Sequence, residues 1–256
     1  MTNDVPRIIA LAPRGTGGVG VAVAAARAGA LGMLDLEGLD PEAAREAVDR
    51  AAGLADWLGI RIESGTVDED WMTRLPSAVR AVCCIAEDGA DWTSSPGRVV
   101  RSGRVALAEV TTRDEAALAV KSGASGVVLA GHEAGGRCAE ESSFILLQAV
   151  LADGVASAWV RGGIGALSAS GCIAAGASGV VLDGALLLAK ESPLGESARE
   201  LVARLDGGET VVIRPSNGAA VRVYAPPGSA VLARLRSIAE GGLVGDGSPT
   251  PHPTLP

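Results

Sequence analysis

The chain has 256 residues, enough for one large domain or two small ones around a sizeable core. Hydrophobic residues make up 48% and aromatics only 2%, so disorder is excluded and the core is built from aliphatic side chains packed with the help of glycine. A net charge of −8 excludes a basic nucleic-acid face, and the scarcity of aromatics excludes a base-stacking platform.

The first seven residues carry no basic start followed by an apolar run, so no secretion signal is read. The longest uncharged run, Gly162 to Leu182, has membrane-spanning length but holds six Gly and three Ser, and reads as turn, helix and strand. The four cysteines, Cys83, Cys84, Cys138 and Cys172, have no zinc spacing. No metal is expected, and a reduced cytoplasmic protein is the simple reading.

In chain order, a first apolar strand covers 7–12 and leads into GTGGVG at 15–20, then a helix over 19–29. GTGGVG matches G-x-G-x-x-G, and Asp35 lies twenty residues beyond Gly15, the context of a dinucleotide fingerprint; the alternative is a tight glycine turn. A strand at 32–36 follows. Asp40 and Pro41 then cap a helix over 41–56. Next come a strand at 58–63, a helix at 68–75 and a strand at 79–86, whose adjacent Cys83 and Cys84 face opposite sides. Residues 88–103 lack helical periodicity and read as a loop with at most a short helix. A strand at 104–109 and a helix at 112–122, capped by Thr112, complete the first half of the chain.

The second half repeats itself. SGASGVVLAG at 122–131 and AGASGVVLDG at 175–184 are near copies, with a looser AGALGMLDL at 28–36. Each copy ends an Ala-rich helix with a glycine suited to the left-handed conformation, then starts a strand apolar enough to be buried on both faces. With a helix at 140–152, a strand at 156–161, helices at 166–175 and 196–206, and a last strand at 179–183, the chain has eight strands. Alternating with helices over about 200 residues, they fit a compact (β/α)8 TIM barrel. A hairpin of 209–213 and 220–224 around Pro215-Ser216-Asn217-Gly218, and a helix at 229–240, form a C-terminal extension. The expected organisation is a barrel over 1–207, an extension over 208–242 and a proline-rich linker over 243–256.

Two loops in the second half have phosphate-binding character. Arg161-Gly162-Gly163-Ile164-Gly165 follows the seventh strand and Asp183-Gly184 ends the eighth, where barrels commonly bind phosphate; close strand–helix packing explains the glycines equally well. Gly131 to Cys138 follows the sixth strand. His132, the one histidine outside the tail, has the chemistry of a general base, against the plainer reading of a structural residue. Cys138 has no second histidine to pair with and reads as structural.

GHEAGGR, RGGIG and VVLDGALLLAKES after strands six, seven and eight, with the opening PRGTGGVGVAVAAARAGALGML, resemble the nitronate monooxygenase (2-nitropropane dioxygenase) family over residues 7 to 195. EAGGR-C-AEESSFILLQ and VVLDGALLLAKES further resemble the nitronate-monooxygenase-like domain at the start of large polyketide synthases. The resemblance implies an FMN-binding barrel, an oxidoreductase acting on a nitronate or an enoyl thioester, and neighbouring synthase domains as partners. It puts GTGGVG, with Gly15, in the first βα loop of a barrel. It lays Ala134, Gly135 and Gly136 along the flavin ring and gives the phosphate to Gly162, Gly163 and Gly184. Where the family usually has a histidine base after EAGG, this chain has Arg137, which stays protonated and cannot be that base. Arg61 stands where the third strand usually ends in Asn, Glu109 where the fifth offers Gln or a basic residue, and Asp183 where the eighth gives a Gly to the phosphate.

The strand ends thus carry Arg14, Asp35, Arg61, Glu87, Glu109, His132, Arg161 and Asp183, charges that must pair or stay wet. Expected pairs are Arg161 with Asp183, and Arg61 with Glu87 or Glu109. The leading expectation is an FMN-dependent oxidoreductase with His132 and Arg137 as candidate catalytic residues and Gly15, Arg61, Glu109 and Asp183 among its flavin contacts. Two alternatives are a degenerate, non-catalytic barrel serving as a docking module and an NAD(P)-binding Rossmann protein using GTGGVG and Asp35.

Overall fold

The computed structural model describes residues 5–86, 94–214, 219–226 and 228–239. Eight parallel strands close into a barrel in the order β1 (Ile8–Leu11), β2 (Leu31–Asp35), β3 (Leu58–Glu63), β4 (Val79–Ile85), β5 (Val105–Val110), β6 (Gly126–Ala130), β8 (Ala158–Arg161) and β9 (Gly179–Leu182). β1 pairs with both β2 and β9, which closes the ring. A dinucleotide-binding Rossmann unit needs an open sheet with a switch point, so the closed barrel removes that alternative.

The helices lie between the strands in sequence: α1 (Val19–Arg27), α2 (Pro41–Ala52), α3 (Glu69–Arg74), α4 (Ser95–Arg101), α5 (Arg113–Lys121), α6 (Ser143–Ala152), α7 (Ala166–Ala174) and α8 (Glu196–Val202). Asp40 accepts from the N–H groups of Glu42 and Ala43 above Pro41, and Thr112 accepts from that of Glu115. Within the stretch 88–103, expected to be a loop with at most a short helix, the described part holds the short helix α4, which buries Val99 against the barrel; Glu87 lies outside the described residues. Among the described residues no helix is long and apolar enough to cross a membrane, and the uncharged run 162–182 forms a loop, α7 and β9.

Side chains alternate along each strand. Leu31 and Met33 on β2, Cys83 on β4, Leu107 on β5 and Val181 on β9 fill the barrel, while Leu34, Ile60, Cys84 and Ala106 pack outward under the helices. An aromatic ring, Trp159 on β8, is also buried in this cluster, and its indole N–H donates to the carbonyl of Pro6 at 3.0 Å. The sequence repeat explains how it fits. Gly126 and Gly179 occupy the same place in the two copies, on the strands flanking β8, and a Cβ there would lie 2.7 Å and 2.5 Å from the indole.

Past the barrel, β10 (Thr210–Ile213) and β11 (Val221–Tyr224) form the expected antiparallel hairpin, followed by α9 (Ala230–Ala239); its turn at 215–218 lies outside the described residues, as does the tail from 240. The hairpin does not stand apart. β11 pairs with a two-residue strand, β7 (Gly136–Arg137), in the loop after β6, so the extension folds back over the C-terminal mouth of the barrel.

Candidate active site

The inward alternation that fills the barrel with Leu31 and Met33 continues to Asp35, and that of β5 from Leu107 to Glu109. At the mouth the inward positions are therefore charged, and they form one network. Arg61 donates from Nε and Nη2 to Glu109 at 2.9 and 2.7 Å, and from Nη1 to Asp35 at 3.1 Å and to Glu37. Arg161 donates from Nε to Asp183 at 3.1 Å, from Nη1 to Glu109 at 3.2 Å and from Nη2 to the carbonyl of Gly135 at 2.9 Å. Arg14 extends the chain to Glu37 at 2.8 Å. Both expected pairs form, with Glu109 as the partner of Arg61. Glu37, in the loop after β2, is a member that the strand-end pattern misses.

Three guanidinium groups thus face four carboxylates, most of them buried. Burial pushes the carboxyl of Glu109 upward, but the guanidinium groups of Arg161 and Arg61 outweigh it and bring it down to about 2. Asp35 goes the other way: burial raises it, Glu37 adds to the rise, and Arg61 only partly offsets both.

Above this floor lies a cavity of about 680 Å³, within the range of small-molecule and cofactor sites. It is walled by Leu11, Ala12 and Pro13 on one side, Ile164 and Leu187 on another, and Thr210, Arg222 and Tyr224 from the hairpin. Of the residues singled out from sequence, the glycines Gly135, Gly136, Gly163 and Gly184 line it, together with the strand-end charges Arg14, Asp35, Arg61, Arg161 and Asp183. Gly15 is exposed in the first βα loop outside the lining. Glu109 is buried beneath it. Ala134 and Gly162 sit behind it: a Cβ on Gly162 would lie 2.6 Å from the Ala134 nitrogen, so this glycine lets the two loops pack together.

Neither His132 nor Arg137 lines the cavity. The Nδ1 of His132 lies 3.1 Å from the carbonyl of Ala139, and its main chain is tied to Glu141 and Arg222. Arg137 pairs with Glu115 at the start of α5, and its Nε is buried without an acceptor among the described residues. Cys138 is buried with Ala130, Ala134 and Ala220, as a structural thiol. Sequence reasoning also misses Arg222, because a single arginine in a hairpin carries no signal until the hairpin is seen to fold over the mouth.

Among solved structures, FabK from Thermotoga maritima is similar, with a TM-score of 0.76 and 22% identity over 86% of this chain and 71% of that one. A nitroalkane oxidase from Streptomyces ansochromogenes has a TM-score of 0.68 and 20% identity over 94% of this chain and 86% of that one. The enoyl reductase domain of MlnA, from the macrolactin biosynthesis cluster of Bacillus amyloliquefaciens, has a TM-score of 0.69 and 13% identity over 91% and 67%. At these identities the likeness is one of fold. No curated protein matches the chain. The family model for nitronate monooxygenase matches residues 36–227, which takes in β3 to β9, the hairpin wall and all of the charged floor but Arg14 and Asp35, and the chain therefore belongs to the nitronate monooxygenase family.

Proposed function

We propose that this chain is an FMN-dependent oxidoreductase of the nitronate monooxygenase and enoyl reductase class, acting on a small nitronate or an acyl thioester, in the setting of a polyketide synthase. Family membership supports the class, and the cavity supports the cofactor. Among the described residues the N–H groups of Gly163 and Ile164, just before α7, meet no protein acceptor. The positive φ of Gly163, 63°, turns the chain there. A Cβ at Gly135 or Gly184 would meet nothing within 4 Å, so the main chain is open to a ligand at both. These groups fit a phosphate at the N-terminus of α7, with the apolar walls of Leu11, Ala12, Pro13 and Leu187 left for a flat ring.

FMN, when bound, supplies the acceptor or donor of an electron pair. The chain's own residues bind and orient. Asp183 is a carboxylate on the phosphate side, but Arg161 neutralises it and its Oδ1 accepts from the Gly184 N–H at 2.6 Å. Arg61 and Arg161 spend their donors on protein acceptors, so they hold the floor rigid and do not reach for substrate. The titratable groups that line the cavity are Asp35, Glu37, Glu133, Asp183 and Tyr224, besides the arginines.

The observation that carries the proposal is the open N–H pair of Gly163 and Ile164 in a cavity of cofactor size. Titration of the purified protein with FMN, followed by quenching of flavin fluorescence, is expected to give saturable one-to-one binding that Gly163→Asp abolishes. Absence of quenching at high FMN would overturn the cofactor, and unchanged binding by Gly163→Asp would overturn its placement.

A further inference from the structure

We propose that Arg222 is an oxyanion-binding residue of the mouth, so that the C-terminal hairpin is one wall of the binding site. The ligand group is a phosphate monoester. This deepens the flavin reading, in which that group is the phosphate of FMN, but the anion site stands on its own observations.

Four arginines line the cavity: Arg14, Arg61, Arg161 and Arg222. The first three are paired with carboxylates. Arg222 has no carboxylate partner among the described residues, although its position is fixed. Its Nε donates to the carbonyl of His132 at 2.8 Å and its Nη1 to the hydroxyl of Thr210 at 2.8 Å. That hydroxyl spends its own hydrogen on the carbonyl of Gly207 at 3.0 Å, so it can only accept from Arg222. Two of the three nitrogens are thus held by neutral acceptors. The third, Nη2, has none among the described residues. A half-buried guanidinium with full charge and a free donor edge is set up for an anion.

The neighbouring groups agree. Arg222 holds the carbonyl of His132, and a Cβ on Gly163 would lie 3.3 Å from that of Glu133, the next residue. Arg222 and Gly163 therefore both lie beside the His132–Glu133 segment, and both line the same cavity with Ile164. The Glu133 carboxylate is occupied in capping α6, accepting from the N–H and hydroxyl of Ser143 at 2.9 and 2.7 Å. Carboxylates outnumber paired arginines on the floor, so Arg222 is the cation that an incoming phosphate meets.

The test uses the full chain with Arg222→Gln, Arg222→Lys and Thr210→Val, each checked for folding by thermal melting. Arg222→Gln is expected to weaken FMN binding by about tenfold or more, as for loss of one charged hydrogen-bonding partner, and to leave riboflavin binding unchanged. Arg222→Lys should recover part of the loss. Thr210→Val, which keeps the cation but frees it, should lose less than Arg222→Gln in the same direction. Inorganic phosphate should raise the melting temperature of the wild type and not of Arg222→Gln. If the wild type binds no FMN but shows that phosphate effect, the oxyanion site stands and the flavin reading fails. If Arg222→Gln responds to FMN and to phosphate as the wild type does, or loses FMN and riboflavin equally, the proposal is overturned.

Discussion

Arg61 and Glu109 grip each other through two parallel hydrogen bonds across a strand that lies between them: β3 and β5 each pair with β4, and Arg61 stands beside Cys83 of that strand. The contact spans the inside of the barrel, where water is scarce and the attraction strong. The two strands therefore keep their spacing at the mouth by charge where the layers below keep it by aliphatic packing.

Glu109 makes that contact sensitive to acid. Its carboxyl titrates near 2 in the fold and near an ordinary glutamate value when unfolded, so its contribution is complete at neutral pH and is lost as pH falls from about 4.3 toward 2. Glu109→Gln should flatten the acid side of the stability profile. At pH 7 it should cost about 3–5 kcal/mol, because Arg61 and Arg161 lose their shared anion. Urea unfolding across pH measures both, and an unchanged acid slope would count against the role of the pair.

Asp35 should behave in the opposite sense. Burial raises its carboxyl, so its ionised form carries a cost in the fold that it does not carry in the unfolded chain, and that cost shrinks as pH falls. Asp35→Asn keeps an oxygen for Arg61 and for the N–H of Glu37 while removing the fourth negative charge. We expect the urea midpoint at pH 7 to rise above that of the wild type. A clear loss would show that the charge itself is needed.

Gly179→Ala should be strongly destabilising although it adds one methyl group. The Cβ would lie 2.2 Å from the Arg7 carbonyl and 2.5 Å from the Trp159 indole, so either the main chain or the ring must shift. A loss of about 1–3 kcal/mol or more is expected. Gly154→Ala has open space, and its strain is that of a positive φ alone, so it should cost less. Thermal melts of the two variants give the comparison.

All four cysteines are buried and free. Burial pushes the Cys84 thiol up to about 12 and holds Cys83 well above the ordinary thiol range. A thiol reagent at pH 8 should label the native protein slowly and count four thiols in denaturant. Rapid labelling of one native thiol would contradict the packing.

Much of the barrel was legible because its signals are local. Aliphatic runs, helix caps and the repeated Gly-Ala turns each report a strand or a helix end over a few residues, and eight such runs alternating with helices fit a barrel, whose closure the β1–β9 pairing then shows. α4 was legible only as the short helix allowed within 88–103, because Ser95 to Arg101 is too short for its period to fix its bounds in a glycine- and serine-rich stretch. The site was legible in part. Strand ends marked Arg61, Glu109, Arg161 and Asp183, and two of their pairings follow from strand order. Glu37 and Arg222 sit in a loop and a hairpin, where reach depends on how the chain folds back, and nothing within a few residues of either reports it. The motif that drew attention to Arg137 ends in β7, and that two-residue strand is what turns the Arg137 side chain to Glu115.

The pairing of β7 with β11 also sets an order of events during synthesis. A ribosome that has released residue 182 has delivered every barrel strand, yet the edge at Gly136–Arg137 still waits for a partner some forty residues further on. A nascent barrel therefore passes through a stage with its mouth uncovered and Ala130, Ala134 and Cys138 without the Ala220 that packs on them. The hairpin closes both the sheet edge and the cavity, so the barrel becomes competent to hold a ligand only after Tyr224 has emerged.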